Sequence, residues 1–161
     1  MKVHFFLNGR AVEIEADPLS PLAEGLKVHG TLAIPAGRCD RAACGKCIVL
    51  MDNEPVLSCL IPLFRVKDKQ VLTYEGFKGS DDCEDIERGF QEAGFTPCLF
   101  HTPGYIFLVH SLLEKISHPG YNDAAALFAG LHPLCGGFST MLEGIQNAAA
   151  RRFRRHNEQT R

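Results

Sequence analysis

The stretch RCDRAACGKC places cysteines at positions 39, 44 and 47, and a fourth, Cys59, follows after eleven intervening residues; no other feature constrains this chain as strongly. A C-x4-C-x2-C run followed by one distant cysteine is the plant-type pattern for ligating a [2Fe-2S] cluster. Two irons need four thiolates converging from one side. A loop supplies three of them only if its backbone folds round the inorganic sulfurs and points N–H groups at them. That requires small residues in the gaps, and Ala42, Ala43 and Gly45 occupy them. Two plainer readings compete. Buried cysteines can simply pack, although three within nine residues of a Gly/Ala-rich loop argue against it. Zinc prefers paired C-x2-C knuckles, whereas here one knuckle is joined by an isolated upstream cysteine and a single distant one. The sequence therefore predicts Cys39, Cys44, Cys47 and Cys59 as ligands of one [2Fe-2S] cluster.

The segments around this loop read as strands. Val3 to Leu7 and Ala11 to Glu15 alternate apolar and polar residues about Asn8-Gly9, a pair that accepts the positive φ angles of a type I′ turn. Ser20-Pro21 predicts an N-cap and a first helical residue for a short helix through about His29, with Gly25 counting against it. Cys47 to Met51 and Val56 to Cys59, about Asp52-Asn53, predict a second hairpin, and Gln70 to Tyr74 a further strand. Strands wrapped round one helix, with a cysteine loop between helix and strand, describe a β-grasp, plant-type ferredoxin layout for residues 1–77.

From Lys78 the pattern turns helical. Ile86, Phe90 and Ala93 share a face, Pro103 opens a helix to about Ile116, and His118-Pro119-Gly120 stops it. Asn122 or Asp123 can cap a third helix, and a fourth starts near Phe138 with Met141, Leu142 and Ile145 on one face. Residues 78–161 are expected to form a four-helix bundle with Leu108, Leu112 and Leu113 in its core, giving an α+β chain of two small domains.

The overall charge excludes one class of partner. A formal net charge of -2 offers no surface for tracking phosphates, so no nucleic acid is expected. The basic run Arg151, Arg152, Arg154 and Arg155 reads as a solvated helix end or a subunit contact. No stretch is apolar for long enough to span a bilayer, and the opening MKVHFFLNGRAVEIE lacks the features of a secretory signal, so a cytoplasmic location without disulfides is the expectation. Cys83, near a helix start, reads as a free thiol. His4, His29, His110, His118 and His156 show no ligand spacing and read as surface or satisfied core residues.

Two loops of the second half remain. GFTPCLFHTPG puts Cys98 and His101 just before a helix, and GLHPLCGGFST puts His132 and Cys135 just before another. Helix N-termini favour negative charge, which suits a thiolate-ligated centre.

With these motifs, from LNGRAVEIEADPLSPL through CDRAACGKCIVLMDNEPVLSC to HTPGY and CGGF, the chain resembles the small iron-sulfur subunit of the molybdenum hydroxylases, the family of xanthine dehydrogenases, aldehyde oxidoreductases and aerobic carbon monoxide dehydrogenases. The resemblance implies a β-grasp domain and a four-helix domain with one [2Fe-2S] cluster each. It also implies electron transfer from a molybdopterin cofactor in a large subunit to FAD in a medium subunit, within a hetero-oligomer, and no catalytic residue in this chain. The first-cluster motif matches at all four ligands. The second does not: on the family pattern CGFCTPG and NLCRCTGY, the first cysteine falls on Cys98 and the last on Cys135, but the others fall on His101 and Pro133. A family glutamine before the first of these cysteines, associated with the molybdopterin cofactor, is Pro97 here.

Three readings of the altered site stay open. Cys98, His101 and Cys135 can keep a [2Fe-2S] cluster with His132 or an outside group as fourth ligand, its potential raised by imidazole. Cys98, His101, His132 and Cys135 can form a Cys2His2 zinc site. The site can also hold no metal, with Phe95, Phe100, Leu134 and Phe138 filling the space. Correspondingly, two functions are carried forward: an electron-transfer subunit, or a docking subunit with one working cluster and a helical half without a redox centre.

Overall fold

The structure is a computed structural model that describes residues 1–28, 30, 43–131 and 135–160. Strands β1 (Lys2–Leu7) and β2 (Arg10–Glu15) pair antiparallel through a two-residue turn in which Asn8 (φ 51°) and Gly9 (φ 78°) both take left-handed backbone, as a type I′ turn requires. The same chemistry recurs between β3 (Ile48–Met51) and β4 (Glu54–Leu57), where Asp52 (φ 51°) and Asn53 (φ 67°) tolerate that region. β5 (Gln70–Leu72) inserts between the hairpins, parallel to β1 and antiparallel to β3, and completes a sheet of order β2-β1-β5-β3-β4.

The strand expected to reach Tyr74 ends at Leu72 instead. Thr73 leaves the sheet for the N-cap position of a single helical turn, α2 (Tyr74–Phe77), where its N–H donates to Asn8 Oδ1 at 2.9 Å. The turn residue of the first hairpin thus ties off the central strand. Helix α1 (Leu22–Val28) starts one residue later than expected because Pro21 forms a β-bridge with Pro62. Gly25 sits in close quarters within it. A Cβ there would lie 3.0 Å from Ile14 Cδ1 and 3.2 Å from Leu63 Cδ2, so glycine lets the helix close onto the sheet. The predicted end at His29 lies outside the described residues.

Alternation along β3 joins two cores. Val49 faces one cluster with Val3, Phe5, Leu7, Leu22, Leu26, Leu63 and Val71, while Ile48 and Leu50 face the other, made chiefly by the helices. Those helices are α3 (Asp81–Glu92), α4 (Thr102–Lys115), α5 (Tyr121–Leu127) and α6 (Phe138–Gln159). Ser80 caps α3, accepting from the Cys83 N–H at 3.2 Å. Asp123 serves α5 from its third position rather than as N-cap, accepting from the Gly120 N–H at 2.8 Å. On α4 the deepest side chains are Ile106, Phe107 and Val109; Leu112 and Leu113 are also buried, but Leu108 is only half-buried. Periodicity could not choose among them, because IFLV is apolar on every face.

Two side-chain expectations are corrected. Arg154 is exposed, as a solvated helix end would have it, but the other three terminal arginines form ion pairs within the chain. Arg151 reaches Glu92, Arg152 reaches Glu114, and Arg155 reaches Asp82 and, at 2.8 Å, Asp85, clamping α6 onto α3 and α4. His110 is not a satisfied core histidine: its buried Nδ1 has no hydrogen-bond partner among the described residues and lies 3.7 Å from Asp82 Oδ2, and its ring packs 4.8 Å from that of Phe77.

Cys83 is fully buried, and that burial, reinforced by the Glu87 carboxylate, pushes its thiol from an ordinary 9.0 up to about 12. It is expected to resist iodoacetamide at pH 8.5 in the folded chain and to react at once in denaturant, as mass mapping of the peptides will read. Because the folded state keeps this proton, the thiol's contribution to stability is complete below pH 9 and is lost as pH rises towards about 12. Among the described residues no helix is long and apolar enough to cross a membrane.

Candidate metal centres

The first centre is organised by the second hairpin. Ile48 pairs with Leu57, and one step beyond, the Cys47 carbonyl accepts from both the N–H (3.1 Å) and the Oγ (2.7 Å) of fully buried Ser58. This register puts Cys47 and Cys59 at the same end of the hairpin. Cys47 is buried, whereas Cys44 and Cys59 are half-buried. Cys44 precedes Gly45, whose φ of 67° permits the tight backbone path expected of a cluster loop. Gly45 also meets α4 closely: a Cβ on Gly104 would lie 2.5 Å from the Gly45 carbonyl oxygen. Cys44 and Cys47 thus lie on the glycine-permitted loop and Cys59 just past the end of β4, and thiols are the donors an iron-sulfur cluster takes. Cys39, the fourth predicted ligand, lies outside the described residues.

The second centre lies at the start of α4. A turn with the His101 and Thr102 N–H groups on the Cys98 carbonyl (2.9 and 3.0 Å) folds His101 back over Cys98, and Pro103 at the helix start stops any earlier extension. His101 is buried at 7 % exposure, its Nδ1 lying 2.9 Å from Cys98 Sγ and 3.3 Å from Cys135 Sγ; the two sulfurs are 3.6 Å apart. Three donors from two loops therefore meet at one point. His132, the fourth candidate, lies outside the described residues.

Electrostatics divide the two thiols. Burial raises both, but at Cys98 the N–H groups of His101 and Phe100, the Cys135 thiol and the Lys46 ammonium outweigh it and hold the group below its ordinary value. At Cys135 burial dominates, and the neighbouring Cys98 charge keeps the proton in place. Burial, then Lys46, pushes His101 down, which keeps the imidazole neutral.

Sequence reasoning missed Tyr105. Four residues after His101, and so on the same face of the helix start, its hydroxyl accepts from the Cys135 N–H at 2.8 Å and fixes the second loop. The signal was the i, i+4 spacing from His101. Of the side chains expected to fill this region, Phe95 is buried, Phe138 is half-buried, Leu134 lies outside the described residues, and Phe100 is 51 % exposed under Lys46, so Phe100 fills nothing.

No protein-family model matches the chain. Relatives do. The chain is 26 % identical over 149 residues to the nicotinate dehydrogenase small FeS subunit of Eubacterium barkeri, covering 92 % of this chain and 95 % of that one. It is 31 % identical over 109 residues to the xanthine dehydrogenase iron-sulfur-binding subunit of Escherichia coli O157:H7, covering 68 % of each. In fold it superposes on a chain of quinoline 2-oxidoreductase from Pseudomonas putida 86 with a TM-score of 0.82 at 24 % identity, over 97 % of this chain and 96 % of that one. With a relative at 31 % identity over two thirds of both chains, and the cysteine loop at the end of its hairpin, this chain belongs to the family of small iron-sulfur subunits of the xanthine dehydrogenase type of molybdenum hydroxylase.

Proposed function

We propose that this chain is the electron-transfer subunit of a multisubunit molybdenum-hydroxylase-type oxidoreductase. It relays single electrons between a molybdopterin-binding large subunit and an FAD-binding medium subunit through a [2Fe-2S] cluster on Cys39, Cys44, Cys47 and Cys59. Residues 1–77 would form its β-grasp domain and residues 78–161 its four-helix domain, with Ile48, Leu50 and Phe77 of the first reaching into the core of the second. The observation that carries the reading is the β3–β4 register, which delivers Cys47 and Cys59 to one end of a hairpin beside the Gly45 loop.

When bound, such a cluster supplies one-electron oxidation and reduction without substrate chemistry. The chain's own residues set the conditions. Ser58 fixes the Cys47 backbone by two hydrogen bonds, and Ile48 and Gly104 close against the Gly45 turn of the loop. Burial of a charged centre in this way sets how readily it accepts an electron. Apolar residues flank both centres on the outside: Leu60 beside Cys59 is 58 % exposed, and Leu99 beside Cys98 is 90 % exposed. Bulky apolar side chains left in water next to redox loops support docking by larger partner subunits.

Cys59→Ser tests the reading. The anaerobically purified wild-type chain is expected to carry about two irons and two acid-labile sulfides at this site, and the variant to lose nearly all of both, with the visible absorption and the EPR signal of the reduced form. A variant that keeps its iron and sulfide would show that Cys59 is no ligand.

A further inference from the structure

The second centre does not fit the cluster that the family implies there. In a [2Fe-2S] cluster the four donors are divided over two irons held apart by bridging sulfides, so donors to different irons stand well apart. Here Cys98 Sγ, His101 Nδ1 and Cys135 Sγ are mutually separated by 2.9, 3.3 and 3.6 Å, close enough to share one metal and too close to span two.

We propose that Cys98, His101 and Cys135 bind a single divalent ion of the zinc class in place of a second [2Fe-2S] cluster. Tetrahedral zinc, with Zn–S near 2.3 Å and Zn–N near 2.0 Å, sets its S···S edge at about 3.8 Å and its S···N edges at about 3.5 Å. The Cys98–Cys135 and Cys135–His101 separations of 3.6 and 3.3 Å lie within about 0.2 Å of those edges. Cys98–His101, at the 2.9 Å of a hydrogen bond, has to open by roughly half an ångström, a small rotation for a side chain at a helix start. Two thiolates and one imidazole make a soft set that selects zinc over hard cations, and they neutralise its charge. One tetrahedral position remains for a further ligand.

Two other features support an ion here. The α4 and α6 N-termini both follow this centre directly, with Tyr105 pinning the Cys135 loop to α4. His101 is buried, its Nε2 has no hydrogen-bond partner among the described residues, and the residue lines a cavity of about 10 Å³ shared with Cys44, Gly45, Gly104 and Tyr105. Nδ1 coordination puts the ring proton on Nε2, which a metal-bound histidine ordinarily donates, and the cavity has room for about one water to accept it. The ion would tie the start of α4 to the loop before α6 and leave electron carriage to the first centre.

This inference does not depend on the first cluster, and the test separates them. Zinc, iron and acid-labile sulfide are measured per chain on the anaerobically purified full chain and on Cys98→Ser and Cys135→Ser. The expected result is about one zinc beside about two irons and two sulfides in the wild type, with zinc falling at least tenfold in each variant and iron unchanged. Because a variant can misfold, zinc K-edge X-ray absorption is also recorded on the wild-type protein; two sulfur neighbours at about 2.3 Å and a nitrogen neighbour at about 2.0 Å are expected. About four irons and four sulfides per chain, or wild-type protein with no metal besides iron or with zinc that has no sulfur neighbours, would overturn the proposal. Failure of the Proposed function shows elsewhere, as absence of sulfide or as iron kept in Cys59→Ser.

Discussion

Gly89→Ala is expected to destabilise the folded chain by about 2 kcal/mol or more, although alanine is the better helix former. Gly89 sits where α3 crosses α6. A Cβ there would stand 2.5 Å from the Ala148 N, 2.7 Å from the Gly144 carbonyl oxygen and 2.8 Å from Ala148 Cα. All three are backbone atoms of a helix, so no rotamer change relieves them. Gly144 repeats the arrangement from the other side, since its own Cβ would come 2.6 Å from Phe90 Cδ1. The helices can accept a methyl group only by moving apart, which strips contacts from Ile86, Phe90, Met141, Ile145 and Ala148 in the buried centre. Overpacking of this kind costs about 1–3 kcal/mol where side chains yield, and more against backbone; the gain in helix propensity returns about 1 kcal/mol. Urea unfolding followed by far-UV circular dichroism reads the difference. A variant within 0.5 kcal/mol of wild type would mean that α3 and α6 slide freely, contrary to the crossing described here.

What the sequence disclosed followed the range of the interactions responsible. Turns are local, so Asn8-Gly9 and Asp52-Asn53 announced both hairpins, and Pro103 and Phe138 announced their helices to within a residue. The central position of β5 was not legible, because its partners Leu7 and Leu50 are far away in the chain and nothing near Gln70 names them. The same holds for Thr73, drawn from the strand by Asn8, and for Pro21, held by Pro62. Arg152 and Arg155 looked like surface charges since Glu114 and Asp82 lie a helix or more upstream. At the candidate sites, residue types were readable and distances were not. Spacing placed Cys98 and His101 one helical turn apart, but whether Cys135 joins them at one-metal or two-metal separation depends on how two loops meet.

Gly104→Ala is expected to cut the iron content of the purified chain by more than half and to speed iron loss to a chelator at least tenfold, with zinc at the second centre retained. The effect rests on the reading of Cys44 and Cys47 as cluster ligands. Gly104 is the third residue of α4, and a Cβ on it would meet the Gly45 carbonyl oxygen at 2.5 Å and its carbon at 3.3 Å. One of the two must move. α4 is fixed by Tyr105, Ile106, Phe107 and Val109, all buried, and withdrawing them costs several kcal/mol of apolar burial at about 1.5–3 kcal/mol for each large side chain. The loop is the softer element, since Gly45 already takes a left-handed φ and its neighbours Cys44 and Lys46 are only half-buried. Displacement therefore falls on the peptide between Cys44 and Cys47, where a shift of an ångström moves thiolates that must meet iron within tenths of one. Iron and sulfide assays before and after challenge with a chelator measure the effect. Full iron with an unaltered EPR line shape would show that α4 yields instead of the loop, and that the helix start does not position the first centre.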